Sequence, residues 1–413
     1  MKIWIVNQYA VPPTQAGITR SHAYARELIS NGHEVIIIAS SFSYLTHSDP
    51  FLKRGEKSKY EKIEGVPFYW IRTPPYQEND GARIRNMLSF AFQLTFTRTL
   101  KKLPAPDLIF ASSPPLLGAW PAAILAKRLR VPFVFEVRDL WPQTLIDLGN
   151  VSPRHPTVRL LARLERYLYK AATRIVSVLP RAVEHMVQKG ANAENVVWIP
   201  NGVNLEQIPV PTAPVEKETF TLMYAGAHGV ANGLHSILDA AALCLKQQEL
   251  QNVRFLFVGA GQEKALLQER VRNEKLVNVE FRDPVPKKNI AHLLNEADCF
   301  LMTLCNSPVF RWGISPNKLF DYLAAGRPIL FSVDAPQNPV AEAEAGITVP
   351  PEDAPAMVEA IKTFLALSPE ERWSMGLRGR RHIEQHYDLK LLGERLHKTL
   401  VEALPPGKSA RLS

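Results

Sequence analysis

The sequence predicts an α/β protein made of two doubly wound units joined by a linker. Short apolar runs alternate with amphipathic helical patterns along both halves of the chain, as in parallel sheets covered by helices on both faces. The alternation stops over residues 205–218, where Pro209, Pro211 and Pro214 stand in a stretch without periodicity, and then resumes. At 413 residues the chain is too long for one ordinary hydrophobic core.

The first half is predicted to form a domain over residues 1–204. Its strands are short apolar runs of the length that buried parallel strands have, and its helices are longer amphipathic stretches. The predicted strands cover residues 2–7, 34–39, 107–111, 132–137, 174–178 and 196–199, and the predicted helices cover residues 19–31, 117–129 and 159–172.

The second half is predicted to form a domain over residues 219–380, followed by a helical tail over 381–413 that can pack back on the first domain. The polar-faced helical pattern of this tail begins at residue 378 and ends at 404. Ligands of such sheets bind at the carboxyl ends of the strands, so we expect both domains to face a central cleft. The predicted strands cover 220–224, 254–258, 277–281, 298–303 and 328–331, and the helices 234–246, 263–273, 287–295, 316–324 and 354–365.

Composition and charge narrow the class of protein. The three cysteines are too few and too scattered for a disulfide framework or a zinc site, which favours a reducing, cytoplasmic setting. Residues 1–10 are not typical of a signal peptide, and no apolar run approaches the roughly 20 residues that span a membrane. The net charge of +9 favours phosphorylated substrates or an anionic membrane surface. No nucleic-acid-binding motif is present, so we expect no nucleic acid partner.

Residues 313–328 form the most informative motif. Ser315 and Pro316 mark a helix start, and Gly326 and Pro328 follow its end. The free amides and positive dipole of a helix N-terminus favour anions, and Lys318 adds a full charge in the first turn. This pattern suits a phosphate beside a sugar or ribose hydroxyl. A capped surface helix with a solvated lysine is the alternative.

The chain resembles the retaining nucleotide-sugar glycosyltransferases of family 4, whose GT-B fold has two facing Rossmann-like domains. Within that family it looks most like a bacterial branch that builds O-antigens, capsules and exopolysaccharides and includes fucosamine transferases. The resemblance covers nearly the whole chain. Its motifs are Pro12-Pro13 with Gly17, Ser112–Pro115, Glu136–Pro142, Ile199–Val203, Val258–Gly261 and the stretch at 313–328.

The resemblance implies a donor site in the second domain that departs from the family pattern at one acidic position. Asp321 matches the acid that contacts the donor ribose, while Gly313 stands where a second acid usually touches the donor sugar. A glycine lets the backbone amides of residues 310–315 approach the sugar closely. The implied donor-binding residues are Gly17, Gly226, Gly229, Asn232, Arg282, Val285, Gly313, Ile314, Ser315, Asn317, Lys318 and Asp321.

A second departure lies in the loop at residues 226–233. Ala227 and Asn232 stand where the family carries an arginine and a lysine that neutralise the donor diphosphate. Because the departing diphosphate needs charge stabilisation, Lys318 is the predicted replacement, with Asn232 as a hydrogen-bond donor. His228 in this loop is either functional or an ordinary loop residue. Residues 282–286 are expected to form the uracil pocket, with a plain proline turn as the alternative.

The predicted catalytic residues are Lys318, Asp139, Arg138 and Glu136. The last three end a predicted buried strand, where the family often has a His-Asp pair. An arginine cannot act as a base but can bind an acceptor phosphate bidentately, while Asp139 or Glu136 can bind hydroxyls or accept a proton. The alternative is a buried ion pair that fixes the loop at Trp141. Arg20 either faces the cleft or lies at the surface.

Basic residues interleave with apolar ones over 83–103 and recur over 154–170. Such segments can rest on anionic lipid headgroups, although two solvated helices are the alternative. We therefore expect a cytoplasmic enzyme bound peripherally to the inner face of the cell membrane.

The resemblance implies transfer of a sugar, such as an N-acetylated amino sugar, from a nucleoside-diphosphate donor to a lipid-diphosphate-linked glycan or a polysaccharide. The donor is expected to be UDP-linked, and the anomeric configuration is retained. No metal or other cofactor is expected, and the chain has no Asp-x-Asp motif. A nucleotide-sugar 2-epimerase and a non-catalytic sugar-nucleotide-binding partner are the alternatives; Gly313 argues mildly against the epimerase.

Overall fold

A computed structural model describes residues 1–15, 17–77, 81–96, 98–213, 217–285 and 289–409. The chain forms two compact units. The first comprises Met1–Pro200 together with the C-terminal segment that starts at Leu389, and the second comprises Asn201–Asp388. The sequence placed the end of the first domain at residue 204, close to this division. The described residues of the predicted linker, 205–213 and 217–218, fall in the second unit.

The first unit is built on an eight-stranded sheet in the order β3-β4-β2-β1-β5-β6-β7-β8. All neighbouring strands are parallel except β3 and β4, which form an antiparallel hairpin at the edge. The strands are β1 (Lys2–Val6), β2 (Glu34–Ser40), β3 (Ser58–Ile63), β4 (Val66–Ile71), β5 (Leu108–Ser112), β6 (Phe133–Val137), β7 (Arg174–Ser177) and β8 (Val196–Trp198).

The helices of the first unit cover both faces of this sheet. They are α1 (Arg20–Ser30), α2 (Gly81–Phe96), α3 (Leu116–Leu129), α4 (Gln143–Asp147), α5 (Pro156–Ala171) and α6 (Val183–Gln188). Helix α3 packs against both α2 and α5. The sequence prediction missed the β3–β4 hairpin. Strand β3 lies half-exposed at the edge and has no continuous apolar run, whereas β4 has one and was still not recognised. Helix α2 falls largely within the segment 83–103, which was expected to be helical.

The second unit is built on a six-stranded parallel sheet in the order β11-β10-β9-β12-β13-β14. Successive residues of a central strand enter opposite cores. Leu222 and Tyr224 pack into one hydrophobic cluster and Met223 and Ala225 into the other. The strands are β9 (Phe220–Ala225), β10 (Val253–Val258), β11 (Val279–Arg282), β12 (Cys299–Thr303), β13 (Ile329–Ser332) and β14 (Gly346–Val349).

Seven helices of the described second unit flank that sheet, and they confirm the predicted α/β class. They are α7 (Leu234–Leu245), α8 (Lys264–Glu274), α9 (Ile290–Leu294), α10 (Asn317–Ala324), α11 (Pro339–Glu342), α12 (Ala354–Ala366) and α13 (Pro369–His386). Helix α7 packs on α8 and α12, and α10 packs on α13. Lys287 and Lys288, at the start of the helix predicted over 287–295, lie outside the described residues.

The tail predicted over 378–404 is helical as expected, but it is divided into two helices and it is not only polar-faced. Helix α13 ends at His386, and α14 (Leu389–Glu402) and the short α15 (Pro406–Ser409) follow. The break arises because the Tyr387 carbonyl accepts a hydrogen bond from the Val203 amide instead of continuing a helix. Helix α14 has an apolar face: Leu392, Leu396 and Leu400 are fully buried in the core of the first unit, against α1.

Candidate active site

Helix α10 provides the first part of the candidate site in the second unit. Pro316 is extended at its N-cap, so the helix begins at Asn317 and its first amides lack carbonyl partners within the helix. Leu319, Phe320 and Leu323 anchor its apolar face in the core. The loop before it turns at Gly313, whose φ of 98° lies in the region that favours glycine.

Lys318, in the first turn of α10, is surrounded by neutral groups. Its Nζ donates to the Tyr224 hydroxyl at 2.8 Å and to Asn232 Oδ1 at 2.6 Å, and it lies 4.3 Å from the centre of the Tyr224 ring. Within the described part of the chain, no carboxylate forms an ion pair with it. Burial lowers the pKa of Lys318 to about 7. The ammonium is therefore held in place without a counter-charge.

The loop after β9 holds Lys318 through a closed ring of hydrogen bonds. The Ala227 carbonyl accepts from the Tyr224 hydroxyl at 2.7 Å and from Asn232 Nδ2 at 2.9 Å, and both side chains accept from Lys318. Ala227 and Asn232 are the positions where the family pattern predicts cations. Here both residues are neutral, and their hydrogen bonds help to hold the Lys318 ammonium, which belongs to α10.

Two glycine loops meet at the carboxyl ends of β9 and β10. A Cβ atom on Gly259 would lie 1.9 Å from the Gly226 carbonyl oxygen, and one on Gly261 would lie 2.3 Å from the His228 carbonyl oxygen. A Cβ on Gly226 would lie 3.2 Å from Lys318 Cδ. Only glycines allow this approach, which brings both loops to the edge of the sheet that Lys318 occupies. Gly229 lies in the same loop as Gly226.

Lys264 ties these loops to the segment after β11. Its Nζ donates to the carbonyls of Gly259 and Arg282, at 2.9 and 3.0 Å, and to Asp283 Oδ1 at 2.8 Å. The Arg282 side chain is occupied by Glu280 and Glu296, so only its backbone is available for a base. Val285 packs against the core beside this segment, and Pro286 lies outside the described residues.

His228 is a buried residue rather than an ordinary loop residue. It is fully buried, and among the described residues neither ring nitrogen has a hydrogen-bond partner. Its ring packs edge-on to Phe257 and Phe281. Burial, helped by the charges of Lys264 and Lys318, lowers the pKa of His228 to about 4. The imidazole is therefore neutral near pH 7.

The segment before α10 is fixed by Asn201. The Asn201 backbone amide donates to Ser315 Oγ at 2.8 Å, and its side-chain amide donates to the Ser315 carbonyl. Ile314 packs against the core, while Asn317 is exposed at the start of the helix. Asp321 follows one turn after Lys318 and is partly buried.

In the first unit, the structure revises the prediction for Glu136. Its Oε1 accepts from Arg20 Nε at 2.8 Å and its Oε2 from Ser112 Oγ at 2.6 Å, and the side chain is buried. Burial alone would raise the pKa of Glu136, but the Arg20 and Arg138 guanidiniums and the Ser112 hydroxyl lower it. Both oxygens are occupied and the carboxylate is stabilised. We therefore assign Glu136 to an ion pair that positions Arg20, and not to proton transfer.

Arg20 is neither a surface residue nor exposed toward a ligand. Besides Glu136, its guanidinium donates to the carbonyls of Ile199 and Pro200 at 2.8 and 2.6 Å. It therefore joins the start of α1 to the end of the last strand of the first sheet. Arg138 is partly buried and Asp139 is exposed just after β6, and Gly17 lies in the loop after β1 with a φ of 139°.

The predicted donor-binding residues of the second unit lie along the carboxyl edge of its sheet, and Glu136, Arg138 and Asp139 follow β6 in the first unit. Sequence reasoning missed Tyr224 and Lys264, and it named Asn201 only as part of the motif at 199–203 without a role. Tyr224 is the last aromatic residue of a buried strand, and Lys264 follows the glycine pair at 259 and 261. Their roles depend on contacts with residues far away in the chain, so neither position alone was a signal.

Comparisons with known proteins match both units to glycosyltransferase domains. Residues 17–202 match the glycosyl transferase 4-like domain, and residues 219–366 match glycosyl transferases group 1. The chain belongs to the two-domain glycosyltransferases of the family 4 type. It is 25% identical over 362 residues to WcaI of Escherichia coli K12, provisionally assigned as a colanic acid biosynthesis glycosyl transferase, covering 82% of this chain and 86% of WcaI.

Solved structures confirm the predicted GT-B fold. Sucrose-phosphate synthase from Thermosynechococcus elongatus matches with a TM-score of 0.76 and 16% identity, over 96% of this chain and 97% of that chain. HepE from Anabaena, in complex with UDP and glucose, matches with a TM-score of 0.67 and 14% identity, over 97% of this chain and 100% of that chain.

The contact between the glycine loops gives a first prediction. Gly259→Ala introduces a Cβ atom 1.9 Å from the Gly226 carbonyl at a φ of 151°. We expect the free energy of unfolding of the second unit to fall by at least about 2 kcal/mol, because the backbone must move. Urea unfolding followed by circular dichroism measures it. Gly81→Ala, with open space around its Cβ, is the matched control, and equal stability of the two variants would contradict the tight approach.

Proposed function

We propose that this glycosyltransferase moves a sugar from a UDP-linked donor to a lipid-linked glycan in the synthesis of a cell-surface polysaccharide. The observation that carries the proposal is the Lys318 ammonium, which lies at a helix N-terminus beside two glycine loops and has no ion-pair partner among the described residues. The similarity to WcaI supports the polysaccharide, and the fold shared with HepE, a UDP complex, supports the donor class.

In this proposal the donor lies along the carboxyl edge of the second sheet. The diphosphate binds the free amides of α10 and the loop at 226–233, with Lys318 supplying the charge. Asp321 binds the ribose, and the backbone of residues 282–285 binds the base. With Gly313 in place of a carboxylate, the sugar is bound by the backbone of residues 313–315.

The chemistry then depends on stabilising the leaving group. As the bond between the sugar and the diphosphate breaks, negative charge grows on the β-phosphate, and Lys318 and the helix amides stabilise it. The acceptor hydroxyl attacks from the same face, so configuration is retained, and its proton passes to the departing phosphate. We propose that no metal takes part, and that the transferred sugar is a hexose or an N-acetylated amino sugar.

A membrane-bound acceptor is supported by an exposed apolar stripe on α2. Phe90 and Leu94 are buried on the inner face of this helix, which packs on α3, whereas Ile84, Leu88, Phe92 and Phe96 repeat every fourth residue on the outer face. Phe92 and Phe96 are 59% and 65% exposed. No helix in the described part of the chain is long and apolar enough to cross a bilayer.

One end of this stripe lies beside a cation. Arg128 lies 5.6 Å from the centre of the Phe96 ring. Further exposed basic residues of the first unit, on α2, after it, on α3 and on α5, are Arg85, Lys101, Lys102, Lys127, Arg159, Arg163, Arg166 and Lys170. An exposed apolar stripe on a unit with many exposed cations fits an anionic lipid surface, on which the protein is proposed to act from the cytoplasmic side.

Lys318→Ala tests the proposed donor chemistry. We expect kcat for UDP release, measured with a panel of UDP-sugars and membrane extract, to fall by about 10²–10³-fold, because the charge on the leaving diphosphate is no longer stabilised. Lys318→Arg keeps the charge and should retain part of the activity. Lys246→Ala, at an exposed position, is the matched control. Undiminished turnover by Lys318→Ala would contradict the proposed role of Lys318 in stabilising the leaving diphosphate.

The same assay separates the alternative functions. Incubated with UDP-N-acetylglucosamine and no acceptor, an epimerase would isomerise the sugar, and we expect no isomerisation. A binding protein without catalytic activity would release no UDP with any donor and extract, and that result would overturn the proposed function.

The α2 stripe predicts membrane binding. The double variant Phe92→Ser with Phe96→Ser should bind vesicles containing anionic phospholipid at least roughly tenfold more weakly, since two large apolar side chains no longer enter the interface. Co-sedimentation with vesicles measures it. Val277→Ser removes an apolar side chain that is 84% exposed in the second unit and is the control. Equal sedimentation of the stripe variant and the parent protein would contradict the prediction.

A further inference from the structure

Arg138 lies just after β6 with a guanidinium that the protein leaves partly unsatisfied. Its Nε and Nη1 atoms are buried, and among the described residues neither has a hydrogen-bond partner. Buried nitrogen–hydrogen groups are almost always paired, and a buried charge without partners is more costly still. A guanidinium of this kind is expected where a ligand supplies the hydrogen-bond acceptors that the protein lacks.

The neighbouring Arg20 is a structural arginine whose guanidinium nitrogens all donate hydrogen bonds, in contrast to those of Arg138. Arg20 donates to Glu136 and to two backbone carbonyls. Arg138 is adjacent to the same carboxylate, but Arg20 and Ser112 already occupy both Glu136 oxygens. The alternative expectation was a buried ion pair that fixes the Trp141 loop. Among the described residues no carboxylate forms an ion pair with Arg138, so Arg138 does not form such a pair.

The carboxylates near Arg138 do not pair with it. Both oxygens of Glu136 accept from Arg20 and Ser112, and among the described residues Asp139 forms no ion pair with Arg138, while burial raises the pKa of Asp139. Burial, with the repulsion from Arg20, outweighs the attraction of Glu136 and Asp139 and lowers the pKa of Arg138. An anion placed against Arg138 would supply the partner that its buried nitrogen atoms lack.

Aromatic rings lie near the Arg138 guanidinium. The Tyr44 ring, whose hydroxyl is electrostatically coupled to Arg138, is partly buried and lies 5.2 Å from the Tyr9 ring. Tyrosine rings of this kind stack on sugar faces and on isoprenoid chains. The combination is an oxyanion donor with an adjacent aromatic wall, at the ligand-binding edge of a parallel sheet.

We propose that Arg138 binds an oxyanion carried by the acceptor, either the diphosphate of a lipid carrier or the carboxylate of an acidic sugar, with Tyr44 and Tyr9 flanking it. A guanidinium offers two parallel N–H donors. Phosphate and carboxylate groups both present two negatively charged oxygens that can accept from these donors, and this is the chemistry that the two ligands share. This inference rests on the proposed function in that it assumes an acceptor site in the first unit.

Paired ligands that differ only in charge test the proposal. The intact protein, with UDP at saturation to occupy the donor site, is titrated with geranyl diphosphate against geraniol and with methyl glucuronide against methyl glucoside. We expect one anionic ligand to bind more tightly than its neutral counterpart. Arg138→Gln should weaken that ligand at least roughly tenfold, and Arg138→Lys should lie between the two. The exposed Arg54→Gln is the control.

A stability measurement separates ligand binding from a structural role. Because the fold leaves Arg138 unpaired, Arg138→Gln should keep or raise the melting temperature of the free protein while it weakens the anion. The ligand pair in which the charged member binds more tightly shows whether Arg138 binds a diphosphate or a carboxylate. Either result supports the proposal. Equal binding of charged and neutral ligands, or a lowered melting temperature for Arg138→Gln, overturns it. Loss of UDP binding by the parent protein would instead count against the proposed function.

Discussion

The proposed donor site depends on one ammonium group, and the atoms that contact it are neutral. Tyr224 and Asn232 hold Lys318 at the first turn of α10, and burial lowers its pKa to about 7. Above about pH 7 such a lysine is largely neutral, and it becomes fully charged when a bound anion raises its pKa. The loop after β9 lacks the two cations of the family pattern. It can still take part in the proposed binding of a diphosphate, because Lys318 on α10 supplies the positive charge.

The rest of the second unit keeps that ammonium and its ligand site in place. Gly259 and Gly226 let two loops come within contact distance, and Lys264 joins them to the segment after β11. Asn201 fixes Ser315 ahead of the helix. Lys318 and Arg138 are alike in one respect, since both are partly buried cations that form no ion pair with a carboxylate among the described residues.

Sequence periodicity predicted the elements whose cause is local. Every predicted strand is present because continuous apolar runs belong to strands buried on both faces. The half-exposed β3 has no such run and was missed, and so were the short β14 and the apolar β4 that pairs with β3. Lys318 and Asn232 were singled out separately, from a helix start and from a missing family cation. Their hydrogen bond spans 86 residues, and the Arg20–Glu136 pair spans 116, so neither partner was visible in the pattern around the other.

Proton uptake on binding UDP-glucose, whose phosphates do not titrate near neutrality, tests the central claim most directly. With a free pKa of about 7, Lys318 is largely neutral at about pH 8 and must gain a proton as the diphosphate raises its pKa. Calorimetry in buffers of different ionisation enthalpy should show uptake approaching one proton near pH 8, falling toward none near pH 6 and absent in Lys318→Arg. Binding by the parent protein near pH 8 without proton uptake would contradict the account.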